Sequence, residues 1–260
     1  MAENTEGFCR ALAAHIHDQL GVEVKYVDDK PWQEREKLFD QGNIQVLWIC
    51  GLPYIDKVKS SHSRIELLAV PVFNGPLYGG RPVYFSDVIV RRESRIKKFT
   101  DLRDSIWAYN KPRSHSGFNV VRAHLANLGK KQFFRRVVES GSHSASLDLV
   151  LKGTVDASAI DSTVLEWAIS QRPQIANEIR TVAVLGPSPI PPWVVSKELP
   201  ENFRVNLRSV LLGMHQGPAG RRILAYGCLE RFVPAEDRDF DPIRRMAEAA
   251  EQVCLPDELR

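Results

Sequence analysis

Segments with strand and helix patterns alternate along most of this chain, and the connections between them are short. The strand candidates are residues 22–27, 44–49, 65–72, 83–91, 105–109, 137–138, 155–160 and 182–185. Helix patterns separate most of these strands, and the C-terminal part is predicted to be helical over residues 200–214, 219–232 and 242–253. Because this alternation is typical of α/β proteins, we predict an α/β fold with mostly parallel sheets flanked by helices.

Residues 7–20 have the spacing of an amphipathic helix. Phe8, Leu12, Ile16 and Leu20 recur every four residues, and Gly21 follows them. This spacing places the four side chains on one helix face, and glycine favours the end of a helix. The segment therefore predicts a helix packed against a core.

The composition excludes several classes of function. The 260 residues are 43% hydrophobic and 26% charged, with a formal net charge of +3, so a basic surface for nucleic acid is not expected. No apolar stretch approaches the roughly 20 residues of a membrane-spanning helix, so we expect no direct membrane insertion. The N-terminus has no signal-peptide pattern. We therefore expect either a cytosolic protein or a processed or truncated sequence.

The sequence contains no motif for a metal or a cofactor. The four cysteines, Cys9, Cys50, Cys228 and Cys254, are too far apart for zinc-ligand spacing. They are predicted to be buried free thiols. H-E-x-x-H, the P-loop and G-x-G-x-x-G are all absent. We therefore predict no cofactor and no metal.

Two short polar turns, residues 112–117 and 140–144, each precede an apolar run with helical spacing. A helix N-terminus offers unpaired N–H groups and the positive end of a dipole, so it suits an anion. Together the turns suggest a clamp for one tetrahedral oxyanion, with candidate contacts from Ser114, His115, Ser116 and His143. The alternative is plain N-capping, for which serine is a preferred residue.

Three further residues are candidates to line a ligand site. Asp161 ends a strand of small apolar residues, where it could bind a cation, an amine or a hydroxyl, or cap the next helix together with Ser162. Tyr54 and Tyr84 could each form the wall of a cleft or pack in the core. A serine hydrolase is disfavoured, because a nucleophile elbow needs G-x-S-x-G and Ser114 and Phe118 occupy the glycine positions.

Six stretches in order resemble one known family. They are residues 84–90, 99–102, 114–118, 140–143, 153–157 and 160–162. The set is similar to the phosphate-, phosphite- and phosphonate-binding components of ABC importers, which are type 2 periplasmic binding proteins. The resemblance extends over about residues 42–199. It implies two α/β lobes joined by a hinge, with a ligand cleft between the lobes and no catalytic residue.

The resemblance also assigns ligand contacts. In the family, a Ser-x-Ser-Gly turn binds the oxyanion and a Ser-Gly-Ser-His turn adds a histidine. In the family, an aspartate after the Val-Asp-Ala strand faces the other end of the ligand, and aromatic residues line the cleft. In this sequence the implied ligand-binding residues are Tyr54, Tyr84, Ser114, His115, Ser116, His143 and Asp161.

The resemblance further implies how the lobes divide the chain. Lobe 1 is predicted to contain residues 1–86 and 186–260, and lobe 2 residues 87–185. Members of the family begin with a strand ahead of the first helix, whereas this sequence begins almost at that helix. The first strand is therefore predicted to be missing, and the edge of the first sheet to be exposed or paired differently.

The expected function is a non-catalytic solute-binding protein for a small phosphorus oxyanion, either a phosphonate, phosphite or phosphate. Its expected partner is an ABC permease, and its location periplasmic or extracytoplasmic at the membrane. A cytosolic sensor or interaction module on the same fold is the alternative, since a signal-peptide pattern and the first strand are both absent. An enzyme of cofactor biosynthesis on this fold is the third hypothesis.

Overall fold

The computed structural model describes residues 5–60, 63–130 and 132–255. Its helices are α1 (Glu6–Leu20), α2 (Trp32–Asp40), α3 (Gly51–Val58), α4 (Val120–Asn127), α5 (His143–Leu151), α6 (Ser162–Gln171), α7 (Ile175–Glu178), α8 (Glu201–Gly213), α9 (Pro218–Tyr226) and α10 (Asp241–Ala250). Its strands are β1 (Val46–Trp48), β2 (Ile65–Phe73), β3 (Val83–Arg91), β4 (Ile106–Tyr109), β5 (Arg136–Glu139), β6 (Ala157–Asp161), β7 (Ile179–Pro189), β8 (Trp193–Ser196) and β9 (Leu229–Val233). The predicted α/β class with two sheets and flanking helices is confirmed.

The described residues divide into two compact units. Apart from residues 61, 62 and 131, unit 1 contains residues 5–83 and 189–240, and unit 2 contains residues 84–188 and 241–255. The chain thus passes between the units within β3, at the end of β7 and just before α10.

Unit 1 is built on a four-stranded sheet in the order β1–β8–β2–β9. Its core contains Phe8 of α1, whose ring meets Trp48 edge-on at 6.1 Å, and Trp48 stacks on Trp193 at 5.4 Å. Phe8, Leu12 and Ile16 are buried as predicted, and Gly21 ends α1 in the left-handed region at φ 65°. Aromatic area of this kind dominates the burial energy of a small core.

The prediction of mostly parallel sheets is wrong for unit 1. β8 pairs antiparallel with both β1 and β2, and β9 pairs antiparallel with β2. Consecutive β1 and β2 do point the same way, as their α3 connection requires. However, β8 returns from far along the chain and inserts between them.

Unit 2 contains a five-stranded sheet in the order β5–β4–β6–β3–β7. Here β4 runs parallel to both β5 and β6, which agrees with the predicted parallel pairing. β3 is antiparallel to β6, with Ser86 opposite Asp161. The core on one side of this sheet includes Trp107, which stacks on Phe134 at 4.7 Å.

The predicted lobe boundaries differ from the observed units. The units change at residues 83/84 and 188/189 rather than 86/87 and 185/186, and residues 241–255 group with unit 2 instead of lobe 1. The reason is packing, because α10 lies against α4 and Val253 and Leu255 are buried in the unit 2 core. Arg122 Nε also donates to the Val253 carbonyl at 2.8 Å.

Two local predictions are also wrong. Residues 22–27 form no strand, since alternation alone cannot supply the neighbouring strand that a ladder requires. The helix predicted over 219–232 ends at Tyr226, because Gly227 follows and Cys228 adopts φ 55°. The remainder of that segment becomes β9 on β2. The predicted absence of a first strand concerns residues ahead of α1, which lie outside the described residues.

None of the four cysteines, all within the described residues, forms a disulfide. Cys9 is buried as predicted, but Cys50 is half-buried and Cys228 and Cys254 are exposed. Within the described ranges, no helix has both the length and the apolar character needed to cross a membrane.

Candidate functional site

The carboxyl ends of three parallel strands meet at one edge of the unit 2 sheet. β4 lies between β5 and β6, so Tyr109, Glu139 and Asp161 end their strands on the same side. The first polar turn follows β4, the second follows β5, and α6 follows β6. Ligands of parallel sheets bind beyond such strand ends. The structure therefore places both polar turns and Asp161 on one edge of the sheet.

The first polar turn forms a short π-helical turn, His115–Asn119, capped by Ser114. Ser114 Oγ accepts a hydrogen bond from the Gly117 N–H at 3.2 Å, and its carbonyl accepts from the Asn119 N–H at 3.0 Å. π-Helical turns are rare and concentrate at functional sites. The predicted capping by Ser114 is thus present, and the N–H groups of His115 and Ser116 have no partner within the turn.

The imidazole of His115 is enclosed in unit 2, with 0% of the residue exposed. Its Nε2 lies 3.0 Å from Ser188 Oγ, and its Nδ1 lies 3.1 Å from the amide nitrogen of Asn119. Because an amide NH2 can only donate, Nδ1 is the acceptor and Nε2 donates to Ser188. Burial lowers the pKa of His115 to about 3. The neutral side chain therefore holds the π-turn in place, and its backbone N–H is what remains for a ligand.

The second polar turn is held by serine hydroxyls. Ser140 Oγ donates to the Ser142 carbonyl at 2.9 Å and lies 2.6 Å from Ser146 Oγ. Ser142 caps α5 by accepting a hydrogen bond from the Ala145 N–H at 3.0 Å. This network places His143 at the first position of α5, at the positive end of its dipole.

The two polar turns meet at Ser116 and His143. Ser116 Oγ lies 2.8 Å from His143 Nε2, across a separation of 27 residues in sequence. Burial lowers the pKa of His143 to about 4, and the nearby Ala159 backbone carbonyl has a smaller opposite effect. His143 Nδ1 is buried and makes no hydrogen bond of normal geometry with that carbonyl or with any other described group. The pair combines a hydroxyl, a neutral imidazole and a helix N-terminus, which are donors suited to an oxyanion.

Gly117 is required for the two turns to approach each other. A Cβ at this position would lie 2.1 Å from Asn110 Oδ1 and 3.2 Å from His143 Cε1. A glycine in such a turn can let a ligand approach the backbone closely. The structure shows instead that the Asn110 and His143 side chains occupy the space a side chain would take.

Asp161 performs the capping role that the sequence offered as an alternative. Its Oδ1 accepts from the Thr163 N–H at 2.9 Å and from Thr163 Oγ1 at 2.7 Å, at the start of α6. Burial raises the pKa of Asp161 to about 6, and the Asp87 carboxyl adds to this effect while the hydrogen bonds from Thr163 oppose it. A carboxyl with such a pKa is a candidate partner for an amine or a hydroxyl.

Other acidic and polar groups lie near Asp161. Burial and the Glu166 carboxyl raise the pKa of Asp87 to about 6. Ser86, directly opposite Asp161 in the sheet register, has a buried hydroxyl without a hydrogen-bond partner. Among the described residues, no group of three His, Cys, Asp or Glu side chains is arranged to hold a metal ion.

Both predicted tyrosines are buried. Tyr84 belongs to unit 2, is 1% exposed, and its ring centroid lies 6.4 Å from that of His115. Tyr54 belongs to unit 1, is 2% exposed, and its hydroxyl donates to Asp237 Oδ1 at 3.0 Å. The Tyr54 ring also packs on Phe240 at 4.6 Å. Core packing, the alternative from the sequence, therefore describes both side chains.

Sequence reasoning missed Asn110 and Ser86. Asn110 directly follows β4 and carries a buried Oδ1 without a partner, while Ser86 lies in the interior of β3. A polar residue at the end of a parallel strand is a signal that could have identified Asn110. Ser86 becomes visible only when the register pairs it with Asp161.

Comparison with known proteins identifies the family. The family described as "ABC transporter, phosphonate, periplasmic substrate-binding protein" matches residues 2–240. A probable ABC transporter phosphite binding protein, PhnD1 of Prochlorococcus marinus (strain MIT 9301), is 22% identical over 251 residues, which cover 90% of this chain and 81% of that protein.

Two solved structures share the fold. The binding component of an ABC phosphonate transporter from Pseudomonas aeruginosa superposes with a TM-score of 0.84 at 18% identity, covering 96% of this chain and 83% of that one. PhnD1 from Prochlorococcus marinus in complex with methylphosphonate gives a TM-score of 0.79 at 20% identity, covering 96% and 94%. Because the family matches most of this chain, the chain belongs to the phosphonate-binding periplasmic substrate-binding proteins of ABC transporters.

Proposed function

We propose that this protein binds a small phosphorus oxyanion, without catalysis, and delivers it to an ABC permease outside the cytoplasm. The observation that carries the ligand assignment is the contact between Ser116 Oγ and His143 Nε2 at 2.8 Å. This contact joins the first turn of α5 to the π-turn after β4, and the first N–H groups of a helical turn have no partner within the helix.

The proposed roles follow from these contacts. The anion favours the imidazolium form of His143, whose Nε2–H donates to the oxyanion while Ser116 Oγ donates its own proton to it. The backbone N–H groups of His115 and Ser116 add two further donors. Ser114 supports them by capping the π-turn through Gly117. Asp161 binds the opposite end of the ligand, and Tyr84 remains a proposed wall residue of the unit 2 site.

Catalysis is not part of the proposal, because the site residues lack an activated nucleophile. Ser116 has a histidine neighbour, but no carboxylate is hydrogen-bonded to His143 among the described residues, and its Nδ1 has no partner. An acyl-transfer triad needs that third group to orient the base.

The test is isothermal titration calorimetry on protein that has been unfolded, freed of ligand and refolded. Methylphosphonate, phosphite and phosphate are titrated into the wild type, into Ser116→Ala and into Ser209→Ala. Ser209 is a matched control on α8 of unit 1, where its hydroxyl bonds only to the Val205 carbonyl.

We expect at least one of the three anions to bind the wild type and Ser209→Ala equally, and Ser116→Ala to bind at least about tenfold more weakly, as expected for a lost hydrogen bond to a charged group. Folded wild-type protein that binds none of the three anions would refute the proposal. Equal binding by Ser116→Ala would show that the oxyanion lies elsewhere.

A further inference from the structure

Asn110 lies between the two polar turns and is fixed to both. Its carbonyl accepts a hydrogen bond from the Gly141 N–H in the second turn at 3.0 Å. Its side-chain oxygen occupies the space over Gly117 in the first turn, where a Cβ would be only 2.1 Å away. That Cβ position is also 3.2 Å from His143 Cε1, so the Asn110 oxygen lies next to the Ser116–His143 pair.

The Oδ1 atom of Asn110 is buried and has no hydrogen-bond partner. A buried acceptor without a donor is costly, and in native proteins it calls for an explanation such as a missing ligand. An amide oxygen can only accept. A ligand that satisfies this atom must therefore bring a proton on the group that faces it.

Before an anion binds, the two histidines of the polar turns contribute no positive charge to the anion site. The ionisable groups on the surrounding elements are Tyr109 at the end of β4, Lys111 and Arg113 ahead of the π-turn, His115 on the π-turn, His143 on α5, Glu139 of β5 and Asp161 of β6. Burial lowers the pKa values of both histidines well below neutrality, so both imidazoles are neutral. Lys111 is paired with Glu139 at 3.2 Å.

We propose that Asn110 is a specificity residue whose Oδ1 accepts a hydrogen bond from a protonated oxygen of the bound anion. The site then selects singly protonated phosphorus oxyanions over sulfate. This inference rests on the proposed function, since it concerns the same anion site.

The chemistry of the two anions makes the distinction. The second proton of a phosphorus oxyanion is lost near neutral pH, as in a phosphate monoester at about pH 6, so a P–OH donor is present in a large fraction of the ligand. Sulfate has the same tetrahedral shape but no proton at neutral pH. It would place a bare oxygen against the bare Asn110 oxygen, and two acceptors facing each other repel.

The experiment compares phosphite and sulfate as titrants for the wild type, Asn110→Ala, Asn110→Asp and the control Asn127→Ala. Asn127 is an exposed residue at the end of α4. We expect the wild type and Asn127→Ala to prefer phosphite strongly. Asn110→Ala should lower the ratio of phosphite to sulfate affinity about tenfold, the value of one hydrogen bond to a charged ligand.

Asn110→Asp keeps an acceptor at the same place and should retain the preference, although its negative charge weakens binding of both anions. If Asn110→Ala does not fold, Asn110→Asp still tests the inference, because loss of the preference in this variant would overturn it. The inference is overturned if Asn110→Ala discriminates as well as the wild type, or if Asn110→Asp loses the preference. Failure of the wild type to bind any phosphorus oxyanion would instead refute the proposed function, and the Asn110 inference with it.

Discussion

The two histidines of the polar turns occupy similar places in the sequence and different places in the structure. Each lies among serines just before a helix, and burial lowers the pKa of each. His115 uses both ring nitrogens inside unit 2, on Ser188 and Asn119, whereas His143 contacts Ser116 and leaves Nδ1 without a partner. Similar sequence surroundings thus give one histidine whose ring nitrogens are both held by the protein and one with hydrogen-bonding capacity left, and only the second suits the proposed ligand contact.

The largest expected effect is on stability, from His115→Ala. The change deletes a fully buried ring and leaves Ser188 Oγ and the Asn119 amide without their partner. We expect the free energy of unfolding to fall by about 2–4 kcal/mol, measured by urea denaturation. A loss no greater than that of His143→Ala would remove the distinction between the two residues.

His143→Ala should act mainly on binding. In the proposed complex the Nε2 of His143, which lies 2.8 Å from Ser116 Oγ, donates to the oxyanion. Loss of the ring should therefore weaken oxyanion binding by about 1.5–3 kcal/mol, the value of a hydrogen bond to a charged group. Calorimetry with methylphosphonate measures this loss. His124→Ala is the matched control, because His124 lies on α4 against Phe99. Equal weakening in the control would mean that His143 has no special role.

Gly117→Ala tests whether the close approach of the turns matters. The new methyl group would overlap Asn110 Oδ1 and crowd His143, and such overpacking costs about 1–3 kcal/mol. We expect a lower melting temperature together with weaker oxyanion binding. Gly7→Ala is the control, because nothing lies within 4 Å of a Cβ at Gly7. Unchanged binding by a folded Gly117→Ala variant would contradict the close contact of the turns.

The smallest expected effect concerns the carboxyls of the same unit. The pKa of Asp87 is raised from 3.8 to about 6, chiefly by burial. Its contribution to stability is therefore fully present below pH 3.8 and is lost as the pH rises through about 6. We expect Asp87→Asn to be more stable than the wild type by about 1 kcal/mol at pH 7, after allowance for partial exposure, and equally stable at pH 3.5.

The two histidines have the opposite dependence on pH. Their pKa values in the fold, about 3 for His115 and about 4 for His143, lie below the ordinary value of 6.5. Their stabilising contributions are present above pH 6.5 and are lost as the pH falls through those values.

Unfolding curves of Asp87→Asn and the wild type at matched pH separate the effect of Asp87 on stability from that of the histidines, because both proteins contain the same histidines. A constant difference between them at pH 3.5 and pH 7 would contradict the burial of Asp87.

Much of unit 2 could be predicted from the sequence. The β4, β5 and β6 strands, the polar turns that follow them and the capping residues are local patterns, and parallel pairing then places the turns on one edge. The antiparallel pairing of β8 and β9 could not be predicted, because it depends on contacts between distant segments. The contrast between His115 and His143 could not be predicted either. It depends on which side chains lie near each imidazole in the fold, Ser188 and Asn119 for His115 and Ser116 for His143.

The most direct test of the central claim is a histidine NMR titration of the protein with and without methylphosphonate. An anion next to an imidazole favours its charged form, so we expect the pKa of His143 to rise from about 4 on binding, while the imidazole pKa of His115 stays unchanged because Ser188 and Asn119 hold both ring nitrogens. Binding of methylphosphonate with no change in the pKa of His143, or with an equal change in the imidazole pKa of His115, would contradict the assignment of the oxyanion to the Ser116–His143 pair.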